Sequence, residues 1–265
     1  MVTQSKFARY RELIPQMIKR DINERYRGSL LGIFWSFITP LILLGVYTFV
    51  FGTVMEARWS SGSEASTAEF AIILFAGLTV FQIFADMLTR APILIIANTN
   101  YVKKVVFPLE VLVPVALGSA LFHGFISFII LFFFVYQVFG NIPITALWLP
   151  VILVPFCTLM LGLGWFLAAL GVYLRDIGQF IGTFITAMMF LAPIFYPPSL
   201  LPEWIAPYIV YNPIVVPINQ TRDVAIFGEM PDWSQLGLYT LISMAVCCLG
   251  FAFFQKTRKG FADVL

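Results

Sequence analysis

Six stretches of this chain are apolar for long enough to cross, or nearly cross, a lipid bilayer. No other feature restricts the possible folds as strongly. They run over about 30–52, 70–88, 109–139, 147–172, 180–195 and 236–254. A spanning helix needs roughly 20 apolar residues, because the hydrocarbon offers no partner for exposed peptide groups. Composition agrees: 60% of the 265 residues are hydrophobic, 11% are charged, and 28 are Phe. A water-facing surface needs far more charge than that. The expected fold class is therefore an all-α integral membrane protein with six transmembrane helices. The third stretch is longer than a bilayer is thick, so tilting, a kink at Pro114 or protrusion is expected.

The distribution of cations orients the bundle. Fourteen of the 16 Lys and Arg residues fall in residues 1–29, the 89–107 connection, the 173–179 turn and the tail 255–265. Arg58 and Arg222 lie on the other side. The positive-inside rule then places both termini in the cytoplasm, which requires an even number of spans. The whole chain reads as one transmembrane domain: a cytoplasmic amphipathic helix over 1–29, five spans over 30–195, an external segment over 196–235, the sixth span over 236–254 and a cytoplasmic tail over 255–265.

Two regions do not read as passive connections. In residues 1–29, Phe7, Tyr10, Leu13, Ile14, Met17, Ile18 and Ile22 gather on about half of a helical wheel, among seven cations. That is the pattern of a helix lying at the membrane interface. Arg11 and Asp21 interrupt its apolar face, and Pro15 is expected to kink it or to open its second part. The 196–235 segment holds seven prolines, yet is aromatic and apolar throughout. Short helices dipping back into the membrane suit it better than an aqueous linker.

The chemistry that is missing narrows the function. There is no Gly-x-x-x-x-Gly-Lys-Ser/Thr phosphate loop, so ATP, if it drives this protein, is bound elsewhere. One histidine, His123, and no paired carboxylates at helical spacing within a span leave little for catalysis. Cys157, Cys247 and Cys248 sit in apolar stretches and read as packing residues. No cleavable signal peptide is expected, since the first apolar run is long and lacks a small-residue cleavage site. His123 has two readings: a relay or substrate contact, or a neutral imidazole hydrogen-bonded to a neighbouring helix. Asp86 and Glu110 flank the basic 89–107 connection and are expected to pair with Arg90, Lys103 or Lys104. Arg175 and Asp176 form either a solvated turn or a docking element. Phe34, Phe37, Tyr47 and Phe51 share one broad face of the first span. Tyr196, Trp204, Tyr208 and Tyr211 populate the Pro-rich segment. Each aromatic is either an interface anchor or a surface on which sugar rings stack.

Residues 20–52, RDINERYRGSLLGIFWSFITPLILLGVYTFVFG, resemble the opening of the permease subunits of type-2 ABC exporters for polysaccharides, and most of all the O-antigen export permeases. The likeness rests on the Arg-Tyr-Arg run at 25–27, Leu-Gly before the aromatic pair at 34–35, Pro40 and the Tyr-x-Phe-Val-Phe-Gly end at 47–52. APIFYPPSLLPE at 192–203 and YNPIVVPINQTRDVAIFGEMPDW at 211–233 are similar to the same family's fifth-span exit and re-entrant region. The resemblance implies a homodimer working with two copies of a separate ATPase subunit, which binds ATP and Mg. It also implies a conduit at the dimer interface for a lipid-linked glycan, in a bacterial cytoplasmic membrane. On that reading, Phe34, Phe37, Tyr47 and Phe51 are candidates for the conduit. Tyr196, Trp204, Tyr208 and Tyr211 are candidates for an external gate. Arg25, Arg27, Arg90, Lys103, Lys104, Arg175 and Asp176 are candidates for coupling to the ATPase. Teichoic acid, capsule, drug or small-lipid cargo, or a secondary transporter, are the rival readings. No nucleic-acid partner is expected.

Overall fold

The computed structural model describes residues 2–50, 67–103, 107–197, 209 and 212–265, with side chains from Tyr10 onward. Every regular element among them is helical. The chain opens with α1, Val2–Arg25. Pro15 lies inside it on an exposed position, and the helix runs on through it rather than restarting there. A tight turn with Gly28 at φ 85° then leads through a 3-10 turn, Gly32–Phe34, into α2, Trp35–Tyr47. Only glycine takes that left-handed conformation without strain.

α3, Thr67–Arg90, is the spine of the molecule. α6, Leu112–Phe139, α7, Leu149–Tyr173, α8, Ile177–Leu191, and α9, Val215–Arg222, all pack on it. Between α3 and α6 lie two short helices, α4, Leu94–Ala97, and α5, Thr99–Lys103. This stretch was expected to be an open connection. Instead Ala91, Leu94 and Ile95 are buried, and Gly171 of α7 meets the Pro92 carbonyl so closely that a Cβ could not fit.

α10, Trp233–Thr257, forms the most extensive helix pair, with α7. A Cβ on Gly162 would lie 2.6 Å from the Cys247 backbone, and one on Gly250 would strike the Gly162 carbonyl. Two glycines therefore let the backbones touch, which is how membrane helices gain dispersion contacts when lipid is as apolar as they are. Asp232 caps α10, its carboxylate accepting from the Ser234 and Gln235 amides at 3.0 and 3.1 Å. The chain ends in α11, Phe261–Val264.

Among the described residues, five helical stretches are long and apolar enough to cross a membrane: Gly32–Val50, Thr67–Ala97, Leu109–Phe139, Ile144–Tyr173 and Trp233–Val264. α8 is apolar but has 15 residues, about 22 Å at 1.5 Å per residue. It ends early because Ala192 precedes Pro193, and a residue before proline is driven out of the α region; Ala192 is extended, at φ −90° and ψ 148°. Pro114 sits in the first turn of α6, and the carbonyl four residues before it, that of Glu110, accepts instead from Trp165 Nε1 at 3.0 Å.

The described later part of the Pro-rich segment, from residue 212 on, packs against the bundle. Val215, Val216, Ile218 and the π turn Asp223–Phe227 pack into the core. Arg222 is fully buried at the end of α9. Its guanidinium donates to the carbonyls of Ile73 (2.9 Å), Pro193 (2.6 Å) and Ile194 (3.0 Å). It ties the Pro-rich segment, the end of α8 and the spine together.

Candidate functional site

Fourfold convergence at one end of the bundle defines the first part of the site. α1, the α4–α5 stretch, the α7–α8 turn and the C-terminal residues all meet there. Tyr173 donates to the Thr257 carbonyl at 2.9 Å, and Lys103 donates to the main-chain oxygen of Leu265. α1 lies against this end with Met17 and Ile22 buried. Asp21, an apparent flaw in the apolar face, receives Arg90 Nη2 at 2.6 and 2.7 Å. Arg25 grips both oxygens of Asp86, with one bond at 3.2 Å. Burial alone would lower the Arg25 pKa, but the Asp86 carboxylate outweighs it and holds the guanidinium more firmly charged. Tyr10 donates to Glu110 at 3.2 Å, and Arg258 pairs with the same carboxylate at 2.9 Å. Arg20 donates to Tyr101 at 2.8 Å. Three carboxylates thus pin α1 to α3 and to the turn that precedes α6. Bidentate, half-buried arginine pairs of this kind hold geometry better than exposed ion pairs do.

These partners match the expected ones only in part. Asp86 belongs chiefly to Arg25, with Arg90 at 3.9 Å, and Glu110 belongs to Tyr10 and Arg258 rather than to Lys103. Lys104 lies outside the described residues. Arg27, Arg175 and Asp176 are exposed at this end, open to a partner.

The second part is a cavity of about 290 Å³ behind α2, bounded by the end of α1, α3 and α6. Ser36 donates to Tyr26 Oη at 2.8 Å, and Tyr26 lies 3.2 Å from His123 Nδ1. His123 is therefore hydrogen-bonded to a neighbouring element. Its ring meets those of Tyr26 and Phe122 edge-on. Gln82, exposed on a helix that is otherwise almost wholly buried, opens into the same space. Nothing in the sequence pattern marked Gln82 beyond its being a polar residue inside an apolar run.

The aromatics divide. Phe34 and Phe37 are exposed on the outer face of α2. Tyr47 leaves that face and packs against Phe195, with ring centroids 5.8 Å apart. Phe51 lies outside the described residues, as do Trp204, Tyr208 and Tyr211. Tyr196 is placed: its hydroxyl donates to the Phe190 carbonyl at 2.9 Å, folding the exit of α8 back on itself.

The described helices form a bundle of apolar spans with one strongly basic end, as expected of a multi-pass membrane protein. Residues 12–226 match the family model of the ABC-2 type transporters, and the chain belongs to that family. It is 28% identical over 261 residues to the O-antigen export system permease protein RfbA of Klebsiella pneumoniae, covering 96% of this chain and 95% of that one. The RfbA of Myxococcus xanthus is 26% identical over 257 residues, covering 96% and 95%. The polysialic acid transport protein KpsM of Escherichia coli is 22% identical over 267 residues, covering 97% and 98%.

Proposed function

We propose that this chain is the transmembrane subunit of an ATP-driven exporter that moves a lipid-linked, O-antigen-like polysaccharide across the bacterial cytoplasmic membrane. It acts as a homodimer with two copies of a separate ATPase subunit, which supplies the ATP and Mg sites this sequence lacks. The observation that carries the reading is end-to-end similarity to export permeases named for O-antigen. A capsule-like polymer is the second reading, favoured by the weaker full-length similarity to KpsM.

The physics fits a conduit. A polymer of hydroxyls cannot cross about 30 Å of hydrocarbon unaided, since each unmet hydrogen bond costs several kcal/mol. Two copies of the chain, meeting along exposed faces such as that of Phe34 and Phe37, would replace the lost water with polar groups and aromatic surface. The basic end faces the cytoplasm by the distribution of Lys and Arg. There α1 and the α4–α5 stretch receive the ATPase, and Arg27, Arg175 and Asp176 lie free to touch it. The Asp21–Arg90 and Arg25–Asp86 pairs pass its movement to α3. On the far side, Tyr196 with Trp204, Tyr208 and Tyr211 gates the exit.

The test is reconstitution in nanodiscs with the candidate ATPase. The reading expects a stable complex whose ATP hydrolysis rises when lipid-linked glycan is added. Glycan transport by the purified chain alone would overturn the two-subunit scheme, and glycan-independent hydrolysis would overturn the cargo.

A further inference from the structure

The cavity behind α2 lies on the opposite side of that helix from the exposed Phe34 and Phe37, so it is not part of the same surface. Its polar groups are unevenly satisfied. Ser36 donates to Tyr26 Oη, which leaves the tyrosine proton available to His123 Nδ1, 3.2 Å away. A neutral imidazole accepting at Nδ1 carries its own proton on Nε2. His123 Nε2 is buried and has no acceptor among the described residues. Gln82 and Thr39 also line the cavity, and neither forms a hydrogen bond there with any described residue. Gln82 lies eight residues from Arg90 on α3, about 12 Å along the axis. Gln82 is exposed to that space, and its amide has both donors and an acceptor to offer an occupant.

The cavity also selects by charge and shape. Its two charged lining residues, Arg25 and Asp86, neutralise each other, so it offers nothing extra to a phosphate or an ammonium group. Trp35, Phe75 and Leu43 add apolar surface to the lining. A volume of about 290 Å³ is at the small end of ligand pockets. An occupant with hydroxyls on its rim and an apolar C–H face, neutral and one ring in size, satisfies all three conditions.

We propose that this cavity is a subsite for a single neutral sugar ring, with Gln82, Thr39 and the Nε2 proton of His123 hydrogen-bonding its hydroxyls and Trp35 supplying apolar surface. The proposal rests on the polysaccharide-export reading, and it adds a place within one protomer, apart from any shared conduit, where the glycan is held.

Saturation-transfer NMR on the permease in nanodiscs, with the methyl glycosides of glucose, galactose and mannose as probes, tests it. At least one glycoside should receive saturation, and Gln82→Leu or His123→Phe should weaken its apparent affinity about tenfold, the effect of losing a buried hydrogen bond and stranding its partner. His123→Gln, whose amide can place an N–H near the lost Nε2–H, should recover most of the signal and shows that loss in His123→Phe is not misfolding. No transfer to any glycoside, or equal transfer in wild type, Gln82→Leu and His123→Phe, overturns the subsite and leaves a water-filled cavity. Glycan-stimulated hydrolysis by the wild-type complex reports on the export reading separately, so either idea can fail without the other.

Discussion

The first and second spans are neighbours in sequence and opposites in environment. In the apolar window of α3, 83% of the residues are buried inside the protomer, whereas in that of the first span the share is 11%. Both windows have the same mean hydropathy, 2.0. Apolarity therefore says that each belongs in the membrane, but not what each one touches. α3 is enclosed because glycine and arginine bring other elements onto it: Gly77 leaves room for the Arg222 guanidinium, whose Nη2 would lie 2.5 Å from an added Cβ. α2 has no such device. It touches the bundle on the Ser36 and Leu44 side and turns Phe34, Phe37, Ile42 and Phe49 outward. One span is a scaffold for the protomer, and the other is a surface for lipid or for a second copy.

The contrast breaks most visibly at Arg222. Arg222→Ala removes the charged donor of the Pro193 and Ile194 carbonyls and a second donor of the Ile73 carbonyl, and charged hydrogen bonds are worth about 1.5–3 kcal/mol each. Detergent-solubilised protein should lose most of its thermal stability or fail to fold, as judged by size-exclusion chromatography and melting. A variant that melts like wild type would remove Arg222 from its role as the clamp on α3. Next comes the α7–α10 contact. Gly250→Val forces two backbones apart and should cost about 1–3 kcal/mol, measurable as a lowered melting temperature.

Smaller in stability, but sharper in location, is the pair between α1 and α3. Asp21→Asn or Arg90→Ala should cost roughly 1–2 kcal/mol and raise hydrogen exchange in α1 while leaving α3 protected. The Asp21→Arg, Arg90→Asp double variant should restore much of the protection. If exchange in α1 does not change, the ion pair does not hold the helix. Least disturbing of all, Phe34→Ala and Phe37→Ala should shift stability by no more than about 0.5 kcal/mol, because both side chains are already exposed in the protomer. Glycan-stimulated hydrolysis should nevertheless fall in the same variants. Wild-type activity in the double Ala variant would take this face out of the transport path.

Much of this fold could be read in advance from residue order. Span positions follow from counting apolar residues, but the fifth, expected over 180–195, lies at Ile177–Leu191, because Pro193 drives Ala192 out of the helix. The amphipathic character of α1 was visible too, but Asp21 looked like an interruption because its partner, Arg90, lies 69 positions away. The same distance hid the Tyr10–Glu110–Arg258 and Arg25–Asp86 contacts. Arg222 was counted only as a stray cation on the far side. A pattern-based reading sees a charge in an apolar segment as a defect, since it cannot see the carbonyls that satisfy it.

By itself, the sequence determined that the chain lives in a bilayer, roughly where its helices start and stop, and which end carries the positive charge. These depend on local composition and on transfer from water to hydrocarbon, which are properties of a segment alone. The tertiary structure decided which charges are paired, which span is enclosed and which face stays open, and it gathered Gln82, Thr39 and His123 around one cavity. Those outcomes depend on contacts between distant residues at short range, where a missing Cβ or a single guanidinium changes what can touch.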